Sequence, residues 1–183
     1  MSLDRQDNTI ALRPMQALDI HQVMQIELAA YQYPWPKGVF SDCLQAGYCC
    51  WVLEEDLQLR GYGVMQVIAD EAHVLNLCID VQYKRRGFGR RLLRQLMRVA
   101  TGHYAQNILL EVRPSNKSAV ALYYSEGFTQ VGRRSKYYPN HKNQTCRDSG
   151  NLREDALVLT CPLDSDYEAL FPHGLGLTSP DAL

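Results

Sequence analysis

No C-x-x-C pair occurs in the 183 residues, and the six cysteines, at 43, 49, 50, 78, 146 and 161, fall at spacings that suit no zinc site. Cys49 and Cys50 are adjacent and poorly placed to bridge each other. Nowhere does a membrane helix's run of roughly eighteen apolar residues occur. The opening MSLDRQDNTIALRP is polar and lacks the apolar core of a signal peptide. These absences lead us to expect a cytoplasmic protein with no membrane partner and no metal, its thiols reduced and packed as small hydrophobes. Charge of one sign is also lacking: 19 Lys and Arg against 20 Asp and Glu leave a net charge of -1. No global field draws nucleic acid, so any anion site must be a local cluster.

What is present is ordinary soluble composition, 46% hydrophobic and 21% charged, in a length that suits one domain with a short appendage. The patterning predicts strands at 10–13, 48–53, 60–68, 73–81, 108–112, 128–138 and 156–161, with a polar EEDLQ turn closing the second and third into a hairpin. Helical spacing predicts helices at 18–30, 38–46, 87–101 and 116–125, with Gly47 and Gly127 ending two of them. The order gives a mixed α/β (α+β) single domain over residues 8–163. A polar insert near 140–153 and a tail at 164–183 fall outside the periodic pattern.

The segment VLNLCIDVQYKRRGFGRRLLRQLM, residues 74–97, carries the first chemical signal. An apolar strand runs into a turn holding Gly87 and Gly89, which opens into a helix. Glycine lets backbone approach a ligand closely, and a helix mouth presents unpaired N–H groups and a positive dipole end. Together they cradle a pyrophosphate. A dinucleotide site needs a third glycine in G-x-G-x-x-G, and a Walker loop needs G-x-x-x-x-G-K-[ST]; both are missing. Seven Lys or Arg from 84 to 98 could instead form an RNA face, but only Tyr83 and Phe88 interleave them. Arg94 and Arg98 read equally as a solvated helix face.

The second signal is Glu111, a carboxylate inside the apolar strand ILLEV, where it must be paired or used. Arg113 lies two residues on, on the same strand face, so an ion pair between them is one reading. In the following helix Tyr123 and Tyr124 can be core or chemistry, and Asn116 can be a simple N-cap.

KRRGFG at 84–89 resembles the acyl-CoA signature of the GNAT N-acetyltransferase superfamily, with Lys84 departing from the usual Gln or Arg. The run from Glu111 through Arg113, Asn116, Ala119 and Tyr123 to Gly127-Phe128, followed by Arg134, Tyr137-Tyr138-Pro139 and Arg153-Glu154-Asp155-Ala156, resembles its branch of bacterial ribosomal-protein-alanine N-acetyltransferases. That resemblance implies a mostly antiparallel sheet of about seven strands flanked by helices, with acetyl-CoA as co-substrate. It implies Glu111 as general base, Tyr123 as general acid and Asn116 as a coenzyme contact. Backbone of Leu77, Cys78 and Ile79 would align the pantetheine arm, and Arg85, Arg86, Gly87, Phe88, Gly89 and Arg90 would hold the pyrophosphate. The acceptor, a protein N-terminus such as the alanine of a small-subunit ribosomal protein, would enter between Trp35 and Tyr137-Tyr138. Asp70 or Glu71 could meet a basic second residue. A covalent route through Cys78 is the mechanistic alternative. Lysine side chains or small amines are the alternative acceptors, and a non-catalytic acyl-CoA-binding or RNA-binding module is the rival of another class.

Overall fold

A computed structural model of the chain describes residues 9–139 and 153–163. The insert at 140–152, Cys146 within it and the tail at 164–183 lie outside them. Strand β1 (Ile10–Pro14) leads through a single 3-10 turn into helices α1 (Ile20–Ala30) and α2 (Lys37–Gln45). Strands β2 (Cys49–Glu55), β3 (Gln58–Ile68) and β4 (Glu71–Ile79) follow. Helix α3 (Phe88–Gly102), β5 (Asn107–Val112), α4 (Lys117–Ser125), β6 (Thr129–Tyr138) and β7 (Glu154–Pro162) complete it. Every expected element is there, with ends shifted by a few residues. The β2–β3 turn is tighter than EEDLQ suggested: only Asp56 and Leu57 form it, both at positive φ (51° and 63°). Such a pair matches the twist of a two-residue hairpin.

Among the described residues, seven strands form one sheet in the order β1-β2-β3-β4-β5-β7-β6. In it only β4 and β5 run parallel, joined by the α3 crossover. That parallel ladder is short. It ends at Val74–Leu110, although β4 continues to Ile79 and β5 to Val112. β5 stays instead with β7 as far as Val112–Leu157. The parting has a local cause in β4: Val64 of β3 pairs with Asn76 but Met65 pairs with Val74, leaving Leu75 as an extra residue. A bulge of this kind bends its strand and sharpens the twist. Residues 76–79 therefore have partners on the β3 side and, among the described residues, none on the β5 side.

Two cores flank the sheet. Leu93, Leu96, Met97 and Ala100 of α3 bury one apolar stripe against Val74, Ile108, Leu110 and Val112. Removing each of the larger side chains, Leu, Met, Val or Ile, from water is worth about 1.5–3 kcal/mol. On the other face α1 and α2 cover Cys50, Val52, Tyr62, Val64 and Cys78. Glycine in β3 matters for the end of β4: a Cβ at Gly61 would stand 2.8 Å from the Cys78 carbonyl oxygen, so a side chain there would push the strand's open end away. No helix among the described residues is long and apolar enough to cross a membrane.

Candidate active site

The gap between β4 and β5 is where the sequence signals meet. At its mouth, Gly87 caps α3 with φ 81°, a left-handed conformation that a side chain would strain. Nothing stands within 4 Å of where its Cβ would be. The first intrahelical bond runs from the Arg91 N–H to the Gly87 carbonyl. The Phe88, Gly89 and Arg90 N–H groups thus have no carbonyl one turn back. Open space before unpaired donors and a dipole's positive end suits a diphosphate. Arg85 is also at positive φ (66°), curling the loop in front of the helix.

The arginines of this loop are not bare cations. Arg86 donates to both oxygens of Glu55 at 2.6 and 3.1 Å and lies over the Tyr83 and Phe88 rings. Glu55 is buried, so it fixes the loop to the end of β2. Arg90 and Arg94 both pair with Glu126, the residue that closes α4. Arg94 is therefore no solvated face, whereas Arg98, among the described residues, reaches Gln95 of its own helix. The Glu126 side chain is 2% exposed but its arginines are 43% and 32% exposed, so solvent screens the pair in part. Glu126→Ala is expected to cost about 2 kcal/mol, lowering Tm by about 4–8 °C in a thermal melt.

Along the gap, the Tyr31 hydroxyl, at the end of α1, donates to the Leu77 carbonyl at 3.3 Å and to Asn76 Oδ1 at 3.4 Å. Cys78 is buried between Tyr62 and Tyr31, and desolvation, helped by the nearby Glu27 charge, pushes its thiol up to about 12. Tyr123 is 7% exposed, tilted against Phe128 at 5.7 Å. Burial, with a smaller contribution from Cys78, raises its phenol to about 12. It is a protonated donor at any physiological pH.

On the opposite strand Glu111 faces the α1/α2 side, since Ile108, Leu110 and Val112 turn the other way. The expected Glu111–Arg113 ion pair does not form. Arg113 reaches Glu154 at 3.3 Å and the Pro139 carbonyl at 3.0 Å, under the Tyr138 ring. The cause is the sheet's end: β7 brings Glu154 alongside while β6 brings Arg134 to Glu111. Arg134 Nε stands 2.8 Å from Glu111 Oε1. That oxygen is buried and accepts no aligned hydrogen bond among the described residues, so the contact is one of charge. Glu111 also raises the Tyr137 phenol by accepting its hydrogen bond. Burial, then the Glu111 charge, raises Tyr138. The two tyrosines meet edge to face at 4.9 Å. Glu111, Tyr137 and Tyr138 thus form one group. The Asn116 oxygen caps α4, accepting from the Ala119 N–H at 3.3 Å and the Ser118 hydroxyl at 3.2 Å. Asp70 and Glu71 lie at the end of the sheet where β4 and β5 still pair, Glu71 standing opposite Asn107.

Trp35 follows α1, its N–H donating to Glu27 Oε1 at 2.7 Å while Tyr62 donates to the other oxygen. Sequence reading passed over Glu27, which is 1% exposed and pins the Trp35 loop to β3. A signal existed: Glu27 falls on the Ile20-Val23 stripe of α1, a lone carboxylate at an apolar position. Glu55 and Glu126 gave no such signal, because their arginine partners are remote in sequence.

The acetyltransferase (GNAT) family model matches residues 20–128. The [ribosomal protein bS18]-alanine N-acetyltransferase of Escherichia coli K12 is 31% identical over 156 residues, covering 85% of this chain and 98% of that protein. That of Haemophilus influenzae is 35% identical over 149 residues, covering 81% and 96%. The crystal structure of the E. coli ribosomal-protein-S18-alanine N-acetyltransferase superposes with a TM-score of 0.75 at 28% identity, over 93% of this chain and 100% of that one. A family match over more than half the chain, and near-full-length relatives above 30% identity, account for the split sheet and the glycine-hinged helix together: this chain is an N-acetyltransferase that belongs to the GNAT family.

Proposed function

We propose that the protein transfers an acetyl group from acetyl-CoA directly to the N-terminal amine of a protein, the N-terminal alanine of a small-subunit ribosomal protein, in the cytoplasm. The observation that carries it is the grouping of Glu111 with Tyr137 and Tyr138 on one side of the β4–β5 gap, with Tyr123 buried on α4. Acetyl-CoA supplies an activated thioester when bound. The mouth of α3 would hold its pyrophosphate, and the unpaired β4 edge at Leu77, Cys78 and Ile79 would take its pantetheine arm as an added strand. Asn116, its oxygen committed to the cap, has at most its amide group to offer the coenzyme.

An α-amine has a pKa of about 7.7–8.0 and is substantially protonated at neutral pH. Glu111, directly or through one water, removes that proton. Tyr137 and Tyr138 position the acceptor backbone beside the carboxylate. Tyr123 returns a proton to the departing sulfur, which is why its high pKa suits the role. Burial holds the Cys78 thiol neutral, so it makes a poor first acceptor of the acetyl group and direct transfer is favoured. Peptides with a free N-terminal alanine, N-acetylated peptides carrying lysine, and polyamines are the discriminating acceptors. Turnover of the first alone is the expected result; turnover confined to the others refutes the proposal.

A further inference from the structure

The open edge of β4 meets a phenol that the transfer described above does not use. The Asp80 N–H donates to the Arg60 carbonyl at 2.8 Å, which fixes the residues of β4 that bond to β3. Bonded and unbonded residues alternate in an antiparallel ladder, so Cys78 and Asn76 turn their N–H and C=O toward β3. Leu77 and Ile79 turn theirs into the gap. Tyr31, the residue that closes α1, reaches the same place. Its hydroxyl stands 3.3 Å from the Leu77 carbonyl and 3.4 Å from Asn76 Oδ1. Its backbone is held as well. The Tyr31 N–H gives α1 its closing bond, to the Glu27 carbonyl at 3.0 Å, and the Glu27 side chain is tied to Tyr62 and the Trp35 N–H.

A coenzyme with its diphosphate at the mouth of α3 would enter the gap beside Ile79, and its thiol end would lie farther along, toward Leu77. Beyond that point β4 and β5 pair, from Val74–Leu110 to Glu71–Asn107, so the acyl group would stand at the end of the track. The side chains there agree. Cys78 lies within electrostatic reach of both the Tyr31 and the Tyr123 phenols, and Tyr123 is the donor assigned to the leaving sulfur. Glu111, with Tyr137 and Tyr138, takes the β5 side for the incoming amine. What is left for the acyl chain is the β4 side, bounded by Tyr31, Asn76 and Cys78. Extra methylenes placed against an anchored ring force neighbours off their favoured positions, and close-packed walls yield little.

We infer that Tyr31 sets the length of the acyl group, its ring leaving room for acetyl and excluding longer chains. The inference rests on acetyl-CoA lying along β4, as in the function proposed above. The test gives the full chain one alanine-terminated peptide with acetyl-, propionyl- or butyryl-CoA, in wild type, Tyr31→Phe and Tyr31→Ala. The measured quantity is the ratio of kcat/KM between donors, which cancels any loss of folded protein. Wild type is expected to prefer acetyl- over butyryl-CoA by about tenfold or more, the scale on which a closed apolar pocket senses a methylene. Tyr31→Ala is expected to bring that ratio near one, while Tyr31→Phe, which keeps the ring, stays near wild type. Calorimetry reads the same wall without an acceptor: butyryl-CoA is expected to bind wild type more weakly than acetyl-CoA, and Tyr31→Ala equally well. A wild type indifferent to chain length, a Tyr31→Ala protein as selective as wild type, or a Tyr31→Phe protein as permissive as Tyr31→Ala overturns the inference and leaves the N-terminal reading standing. No turnover of the peptide with any donor sinks that reading instead, and the binding comparison then decides the role of Tyr31.

Discussion

Glu111→Gln is expected to lower turnover of an alanine-terminated peptide by about 10²–10⁴-fold at pH 7, the range for removing a positioned general base. Affinity for coenzyme A, measured by calorimetry, is expected to survive, because Glu111 stands on β5 while the diphosphate donors stand at the mouth of α3. The deficit carries its own pH signature. As pH rises through about 8 the acceptor amine loses its proton unaided. The variant should therefore regain activity relative to wild type on the alkaline side. A variant that turns over like wild type at pH 7 removes Glu111 from the mechanism. One that loses coenzyme affinity as well shows a structural role instead.

Tyr123→Phe is expected to cost about 10²-fold or more in kcat, with KM for acetyl-CoA little changed, since a phenol that donates to the leaving sulfur acts after binding. The sign of its pH behaviour is fixed by burial. Desolvation penalises the phenolate, the phenol is pushed up to about 12, and the proton-donating form persists as pH rises. Wild-type kcat should then show no alkaline fall up to about pH 10 from this group. An alkaline limb near the ordinary tyrosine value of about 10 would contradict the buried geometry. An unchanged kcat in the Phe variant would exclude Tyr123 as the acid.

Much of this arrangement was legible before any coordinates. The stripe of Leu92, Leu93, Leu96 and Met97 and the glycines at 87 and 127 set element type and ends locally, so reading them needs no tertiary information. The isolated carboxylate in ILLEV marked Glu111 because a charge in an apolar strand demands a reason. Its partner could not be read the same way. Period-two spacing favoured Arg113, but side chains at a sheet's end answer to neighbouring strands, and β6 delivered Arg134 from more than twenty residues away. The same blindness covered Arg94: a helix-surface arginine looks solvated until α4 sets a buried Glu126 against it.

Coenzyme binding in this proposal depends on the open edge of β4, held apart from β5 by the Leu75 bulge and continuous with the mouth of α3. Hydrogen–deuterium exchange of the full chain, with and without coenzyme A, examines that edge amide by amide. Amides in 75–80 and at 88–90 that lack a strand or helix partner are expected to exchange quickly in the free protein. Coenzyme A is expected to protect both segments together. Protection that is already complete without the coenzyme, or that appears elsewhere while these two segments stay unchanged, would contradict the account.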